Sequence, residues 1–214
     1  MIIAIDGPSA SGKSTTAKGV AKVYGILHLD TGAMYRAVTL EYLKYQHISF
    51  DSQNFIDLVK NIDINFNRDN QITLNSLCVE QDIRKQDVTS KVSQVSSISI
   101  VRKKMVEKQR EIARNIDCVI EGRDIGSVVF PNAEFKFYLD AKAEIRAARR
   151  LKELTNQDKS VTLDDLITQI KRRDFLDTNR KISPLTRTKE AIVIDTSSMD
   201  VDEQIEQIIK IINN

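Results

Sequence analysis

The sequence predicts a three-layer α/β/α fold with a central parallel sheet, and two features of the 214-residue chain lead to this prediction. Short apolar runs recur along the chain, and helical stretches separate most of them. Strands that alternate with helices form a parallel sheet that helices cover on both faces. In addition, a glycine-rich segment joins the first apolar run to the first helix, which is typical of phosphate-binding folds of this class.

The predicted strands are the short apolar runs themselves. They span residues 2–5, 27–29, 118–120, 135–139 and 191–194. Polar residues follow each of them directly, and Asp6, Asp30 and Glu121 are examples. Because the carboxyl ends of parallel strands meet at one edge of a sheet, where ligands bind, we expect the functional site at that edge.

The glycine-rich segment at residues 7–14 reads G-P-S-A-S-G-K-S and lies between a strand and a helix. Its glycines let backbone N–H groups converge on phosphate oxygens, and the helix N-terminus adds a partial positive charge. The pattern predicts a site for a nucleoside triphosphate, where Lys13 reaches the β- and γ-phosphates and the Ser14 hydroxyl ligates Mg²⁺. The residues expected to contact this nucleotide are Gly7, Pro8, Ser9, Ala10, Ser11, Gly12, Lys13, Ser14 and Thr15.

A different pattern occupies residues 62–77, where alternating apolar residues flank a polar turn at 67–70. Alternation around a turn predicts a small antiparallel hairpin inserted into the α/β framework. We expect a helix on each side of this hairpin, at residues 54–61 and from about 88 to 114.

Two charged helices follow the fourth strand, at residues 141–154 and from Thr162 onwards. Thr162 and Asp165 have the spacing of a capping box, with Val161 and Leu166 placed as a hydrophobic staple, so a helix is expected to begin there. The connecting residues 155–160 are all polar, which predicts a movable flap. The tail repeats apolar residues at helical spacing and predicts a last helix that closes the domain.

Composition limits the classes of partner. With 41% hydrophobic and 29% charged residues the chain suits one domain. A net charge of only +2 argues against a general nucleic-acid binder. No basic-then-apolar leader and no membrane-length apolar run is found, so we expect a cytoplasmic protein with no membrane partner.

The cysteines and histidines are expected to have structural roles. Cys78 and Cys118 lack the spacing of metal ligands, and Cys118 lies in an apolar run, so we expect neither a disulfide nor a cysteine metal site. His28 and His47 are isolated in the sequence and are not expected to take part in catalysis.

A phosphate loop occurs in switch GTPases, motors and small-molecule kinases, so other residues must distinguish these classes. The chain contains neither an Asn-Lys-x-Asp guanine-reading segment nor an Asp-x-x-Gly switch segment. It carries arginines at separate points instead, and Arg36, Arg123 and Arg180 lie in polar contexts beside predicted core elements. The planar donor fork of arginine suits phosphate oxygens, which favours a kinase of small molecules.

These segments together resemble the nucleoside monophosphate kinases and, within that family, the bacterial cytidylate kinases. The matching stretches are residues 6–14 (DGPSASGKS), 30–36 (DTGAMYR), 93–95 (SQV), 121–126 (EGRDIG) and 173–185 (RDFLDTNRKISPL). The pair DTGAMYR and GRDIG is a specific combination, and the resemblance covers essentially the whole chain. Two departures keep the functional group: Thr31 stands where serine also occurs, and Glu121 stands where aspartate is common.

The resemblance implies a P-loop kinase fold in one domain, residues 1–214. Its core would comprise 1–37, 115–145 and 180–214, with a nucleoside monophosphate (NMP) binding region at 38–114 that carries the inserted hairpin, and a helical lid at 146–179. It implies ATP-dependent phosphorylation of CMP and dCMP with Mg²⁺. The expected partners are these small-molecule nucleotides alone, without nucleic acid or membrane, and the protein is expected to be a monomer.

The resemblance also implies roles for single residues. Arg36, Arg123 and Arg180 would hold the acceptor phosphate, and Ser93, Arg102 and Asp124 would read the cytosine. Arg173 and Asp177 would contact the sugar hydroxyls, and Thr31 would lie in the same acceptor site. The residues expected to act on the transferred group are Lys13, Arg123, Arg180 and Arg149, with Arg146 and Arg150 as alternatives to Arg149 in the lid.

The chemistry agrees with this set of residues. The second ionisation of a nucleoside monophosphate lies near about pH 6, so the acceptor is a dianion at neutral pH and needs no general base. The reaction needs two charged groups held in line, with Mg²⁺, Lys13 and arginines to offset their repulsion. Two alternatives remain open: another small-molecule P-loop kinase with a different acceptor, and a nucleotide-responsive ATP-binding protein.

Overall fold

The computed structural model describes residues 1–45, 47–154 and 161–214. The chain divides into two compact units, which we call the first unit (Met1–Leu29 with Asn115–Asn214) and the second unit (Asp30–Arg114). Residues 30–37, which the sequence assigns to the core, therefore belong to the second unit. The organisation as a single domain with an NMP-binding region and a lid stays a prediction.

A five-stranded sheet lies at the centre of the fold among the described residues, with the order β2-β6-β1-β7-β8. Its strands are β1 (Ile2–Asp6), β2 (Leu27–Asp30), β6 (Cys118–Gly122), β7 (Phe135–Asp140) and β8 (Ile192–Asp195). β1 pairs in parallel with both β6 and β7, and β7 pairs in parallel with β8. All five predicted strands are confirmed, as is the α/β/α class.

Among the described residues, four α-helices belong to the first unit, and two of them pack on the apolar residues of the sheet. The four helices are α1 (Lys13–Tyr24), α6 (Ala143–Leu154), α7 (Leu163–Asn179) and α8 (Val201–Ile212). Val20 of α1 and Ile208 of α8 pack with Ile3 and Ile5 of β1 in one fully buried cluster. Strands buried on both faces read as continuous apolar runs, which is why the sequence identified them.

The two charged helices α6 and α7 pack against each other through Ala147, Leu166 and Ile170. α7 begins after Thr162, which forms the predicted capping box with Asp165. Val161 packs on the same small cluster, in agreement with the predicted staple. The polar connection at 155–160, on which the predicted flap depends, lies outside the described residues.

The second unit combines helices with a small antiparallel sheet. Its helices are α2 (Thr31–Leu43), α3 (Gln53–Asn61), α4 (Gln86–Val95) and α5 (Ser99–Ile112), and its strands are β3 (Ile64–Phe66), β4 (Ile72–Leu74) and β5 (Leu77–Cys78). The predicted hairpin is confirmed as β3 and β4. The sequence missed β5, which follows a two-residue turn at Asn75 and Ser76 with φ of 48° and 68°. Positive φ at both central residues is typical of the turns that join paired strands.

The predicted continuous helix at 88–114 is wrong, because residues 96–98 separate α4 from α5. The hydroxyls of Ser96 and Ser97 donate to the carbonyls of Ser93 and Gln94, at 3.2 Å and 2.7 Å. Serine side chains that bond the backbone in this way compete with helix propagation. Ile98 then adopts an extended conformation, and α5 starts at Ser99.

None of the described helices is long and apolar enough to span a bilayer.

Candidate active site

The phosphate loop of the first unit depends on two glycines. Gly7 has a φ of +155°, and a Cβ there would lie 2.2 Å from the Leu139 carbonyl oxygen. Gly12 has a φ of +91° and precedes α1, where a Cβ would lie 2.8 Å from the Gln204 Oε1. Side chains at these positions would therefore clash or strain the backbone, so the loop can follow this path only with glycine.

Cationic and hydroxyl groups surround the loop. The buried Lys13 donates from Nζ to the Pro8 carbonyl at 3.0 Å, which places the ammonium group over the loop. Among the described residues, the buried Ser11 hydroxyl has no hydrogen-bond partner. Pro8, Ser9 and Ala10 complete the loop, and Thr15 is exposed on the first turn of α1. A loop that carries a buried hydroxyl and an ammonium group at a helix N-terminus fits a polyphosphate.

Glu121, at the end of β6, joins the loop to the neighbouring strand. Its Oε2 accepts from the Ser14 hydroxyl at 2.5 Å, and its Oε1 lies 3.0 Å from His28 Nε2. Burial acts to raise the pKa of Glu121, but the His28 hydrogen bond and the charge of Lys13 outweigh it and lower the pKa. The carboxyl group is therefore ionised, and its oxygens with that of Ser14 form a hard donor set that fits Mg²⁺.

Asp6, at the end of β1, holds the turn that follows β6. Its two carboxylate oxygens accept the backbone N–H groups of Ile125 and Gly126, each at 2.8 Å. These residues begin a π-helical turn directly after Arg123 and Asp124. Burial raises the pKa of Asp6 from 3.8 to about 6, although the two N–H bonds act to lower it.

Alternating arginines and carboxylates line α7 and the residues after β6. Arg123 Nε donates to Asp177 at 2.9 Å, Arg180 Nη2 donates to Asp124 at 3.4 Å, and both carboxylates are buried. Burial acts to lower the pKa of Arg123, but the charge of Asp177 outweighs it and raises the pKa. Burial likewise acts to raise the pKa of Asp177, and Arg123 and Arg173 together lower it. The Arg123–Asp177 pair is therefore held in its charged form.

Arg173, one turn before Asp177 on α7, lies beside the phosphate loop. Its Nη1 donates to the Ser9 hydroxyl at 3.2 Å, while its enclosed Nε has no hydrogen-bond partner among the described residues. Burial and the charge of Arg123 lower the pKa of Arg173 to about 10. Burial and a like charge both disfavour the charged form of this guanidinium, so a bound anion would stabilise it.

The three arginines of α6 differ in what they contact. Arg146 Nη1 donates to the Ser9 carbonyl at 2.9 Å and Nη2 to Asp174 at 2.6 Å. Arg149 instead donates to the backbone of Thr196 and, at 3.3 Å, to the carbonyl of Met199. Arg150 pairs with Glu153 on the surface at 2.8 Å. Of these three arginines, Arg146 is the one whose contacts reach the phosphate loop, and the role of Arg149 expected from the sequence stays a prediction.

In the second unit, α2, α4 and α5 carry the other predicted site residues. Arg36 Nη1 donates to the Thr89 hydroxyl and to the Ile83 carbonyl. Arg102 is 2% exposed and its guanidinium lies 5.1 Å from the centre of the Tyr35 ring. The remaining two predicted residues are the buried Thr31, which begins α2, and the half-buried Ser93 of α4.

The comparisons with known proteins identify the family. The family model described as cytidylate kinase matches residues 3–214. The chain belongs to the cytidylate kinase family. A cytidylate kinase of Clostridioides difficile (strain 630) is 44% identical over 213 residues, which are 100% of this chain and 98% of that protein. One from Desulforamulus reducens is 46% identical over 209 residues, 97% of this chain and 94% of that protein.

Solved structures agree on the fold. The shikimate kinase of Bacteroides thetaiotaomicron aligns with a TM-score of 0.50 at 11% identity, over 100% of this chain and 99% of that one. An uncharacterised protein from Eubacterium ventriosum aligns with a TM-score of 0.56 at 16% identity, with 100% and 99% coverage. At such identities the likeness shows the P-loop kinase fold of this cytidylate kinase family member and nothing further.

Sequence reasoning missed the contacts of two residues in this family member. His28 looks isolated in the sequence, yet it lies within hydrogen-bonding distance of Glu121. The sequence showed Asp6 only as a polar residue after a strand. In the structure it accepts hydrogen bonds from Ile125 and Gly126, which are 119 and 120 positions further along the chain. No pattern in the neighbouring sequence could have predicted either contact, because the order of strands in the sheet decides which strand ends are adjacent.

The raised pKa of Asp6 predicts a pH effect on stability. The pKa of about 6 in the folded protein lies above the ordinary 3.8, so the folded state binds this proton more tightly. The resulting stabilisation is complete below about pH 4 and is lost as the pH rises through about 6. Relative to Asp6→Asn, the wild-type free energy of unfolding should fall by roughly 3 kcal/mol between about pH 4 and pH 7. Urea unfolding of both proteins across this pH range measures this change. If the difference between their free energies of unfolding did not vary with pH, the pKa of Asp6 would not be raised.

Proposed function

We propose that this member of the cytidylate kinase family transfers the γ-phosphoryl group of ATP to CMP and dCMP. The bond between the γ-phosphorus and the oxygen that bridges to the β-phosphate breaks, a bond to an oxygen of the acceptor phosphate forms, and ADP leaves. One observation carries the proposal: the first unit places a phosphate loop, the lysine over it and the half-buried Arg173 together. This supports a reaction between two phosphate groups.

The loop binds the ATP phosphates through its backbone N–H groups and Lys13. When bound with ATP, Mg²⁺ neutralises charge on the β- and γ-phosphates. Ser14 and Glu121 would hold this ion, and the lowered pKa of Glu121 keeps its carboxylate available. Lys13 stabilises charge that spreads over the transferred group in the transition state.

The acceptor phosphate is bound by Arg36, Arg123 and Arg180 in this proposal. Two of these have buried carboxylate partners, Asp177 and Asp124, which limit the orientations of their guanidinium groups. Because the acceptor is already a dianion, positioning and charge compensation are sufficient and no base is needed.

Recognition of the base and the sugar would use other side chains. Ser93, Arg102 and Asp124 read the cytosine, so a wrong base would leave buried polar groups unpaired. Thr31 lies in the same acceptor site in this proposal. Arg173 and Asp177 contact the sugar hydroxyls, and the contact of Arg173 with Ser9 also lets it meet the transferred group.

The lid helices would close over ATP and keep out water, which competes with CMP as the acceptor. Arg146 and Arg173 support this role because both already contact Ser9 of the loop. Arg149 contributes in this proposal only if closure frees it from the segment at 196–199. We also propose that the protein acts as a cytoplasmic monomer on free nucleotides.

A panel of acceptors tests the function. With ATP and Mg²⁺ we expect kcat/KM for CMP and dCMP to exceed the values for AMP, GMP and shikimate by about 100-fold or more. Formation of CDP over many turnovers is the measurement, and UMP is included as the closest base analogue. Turnover of AMP, GMP or shikimate without turnover of CMP would favour another small-molecule kinase. Slow ATP hydrolysis that no acceptor accelerates would favour a nucleotide-responsive binding protein.

A further inference from the structure

The guanidinium of Arg36 is anchored inside the second unit by two acceptors from different elements. Its Nη1 donates to the Thr89 hydroxyl at 2.8 Å and to the Ile83 carbonyl at 3.2 Å. Thr89 lies on α4, and Ile83 lies in the short 3₁₀ turn Asp82–Arg84 that precedes it. Nη1 carries two N–H groups, so these two bonds account for both of its hydrogens.

Anchoring one nitrogen restricts the whole head group. A guanidinium is planar and its five N–H groups keep a fixed arrangement, so a bond at Nη1 also limits the directions of Nε and Nη2. A hydroxyl and a carbonyl in separate elements define this plane better than either could alone. The contact therefore sets the orientation in which Arg36 presents its donors.

The position of both acceptors depends on packing within the second unit. The side chain of Ile83 is fully buried, and its N–H donates to the Val79 carbonyl at 3.0 Å. Val79 directly follows the small sheet, and its own N–H donates to the carbonyl of Ile72 in β4. On α4, the buried Val88 and Val92 fix the face on which Thr89 lies. The inserted sheet thus determines where the Ile83 carbonyl points.

We propose that Thr89, together with the Ile83 carbonyl, is a positioning residue that orients Arg36 toward the acceptor phosphate. The inference rests on the proposed function, in which Arg36 binds that phosphate. It gives the inserted sheet a role in the reaction: the sheet supports the turn whose carbonyl holds an acceptor-binding arginine. Thr89 itself need not touch the substrate.

Replacement of Thr89 by valine tests the proposal, because valine keeps the shape and the similar helix propensity but removes the hydroxyl. We expect KM for CMP to rise about 10-fold, since a hydrogen bond to a charged group is lost. KM for ATP should stay within about twofold of wild type, because the phosphate loop is untouched. Thr89→Ser, which retains the hydroxyl, should restore most of the CMP affinity. Thr168→Val makes the same chemical change at an exposed helix position in the first unit, and should leave both constants near wild type.

A double-mutant cycle with Arg36→Lys separates this proposal from the proposed function. If Thr89 acts through Arg36, Thr89→Val should add little to the rise in KM for CMP that Arg36→Lys already causes. A rise with Arg36→Lys but none with Thr89→Val would reject the positioning role while the acceptor role of Arg36 stands. No change with Arg36→Lys would reject both. A fall in KM for CMP with Thr89→Val would mean that the contact holds Arg36 away from the substrate, which also overturns the proposal.

Discussion

Replacement of Lys13 by alanine should lower kcat by about 10³-fold while the protein stays folded. The ammonium group contacts the Pro8 carbonyl and lies over the loop, where it meets the charge of the β- and γ-phosphates. This charge is most valuable in the transition state, when negative charge spreads over the transferred group. Lys13 lies buried at the start of α1 but is not part of the apolar cluster of the first unit, so its loss should cost little stability.

Lys18→Ala is the matched control, since Lys18 is exposed on the same helix and should tolerate the change in both activity and stability. Steady-state kinetics give kcat, and the thermal midpoint reports whether each variant is folded. Near-normal turnover by the Lys13 variant would mean that the loop does not bind the reacting phosphates.

The second large effect is expected at Arg123, where Arg123→Gln should lower kcat/KM for CMP by about 10³-fold. The same change leaves the buried Asp177 without the Nε donor at 2.9 Å, so stability should fall by roughly 3 kcal/mol. Loss of activity by itself could then reflect unfolding. The double variant Arg123→Gln with Asp177→Asn removes both charges and should regain most of the stability, but none of the activity.

Kinetics with CMP and ATP, together with urea unfolding of each variant, separate the two contributions. Arg187→Gln is the control for the substitution itself, because Arg187 is exposed in the same unit. If the double variant recovered turnover along with stability, Arg123 would have only a structural role, and its assignment to the acceptor phosphate would be wrong.

Much of the fold could be predicted because its signals are local. Strands buried on both faces appear as apolar runs. The start of α7 is marked by the capping box of Thr162 and Asp165, a motif only four residues long. The break at 96–98 could not be predicted with the same rules. Serine is tolerated inside helices, and only the bonds of Ser96 and Ser97 back to the preceding turn show that the helix ends there.

The candidate site likewise has a part that the sequence could predict and a part that it could not. The phosphate loop is one continuous segment, so its glycines, Lys13 and Ser14 were identified from the pattern alone. The three arginine candidates of α6 lie within five residues of one another, and spacing does not distinguish them. The structure places Arg146 at Ser9 and Arg149 at Thr196, because the two side chains lie about one turn apart along α6 and meet different segments of the chain.

The amino-acid sequence by itself determined the α/β/α class, the phosphate loop and the set of arginines from which an acceptor site could be built. These depend on periodicity and on contiguous motifs, which need no knowledge of distant neighbours. Only the tertiary structure decided that Asp6 holds the turn after Arg123, that His28 meets Glu121 and that Thr89 meets Arg36. Each of these contacts joins residues more than fifty positions apart, and the order of strands and the packing of helices bring them together. The environment that shifts a pKa or orients a guanidinium arises from that packing.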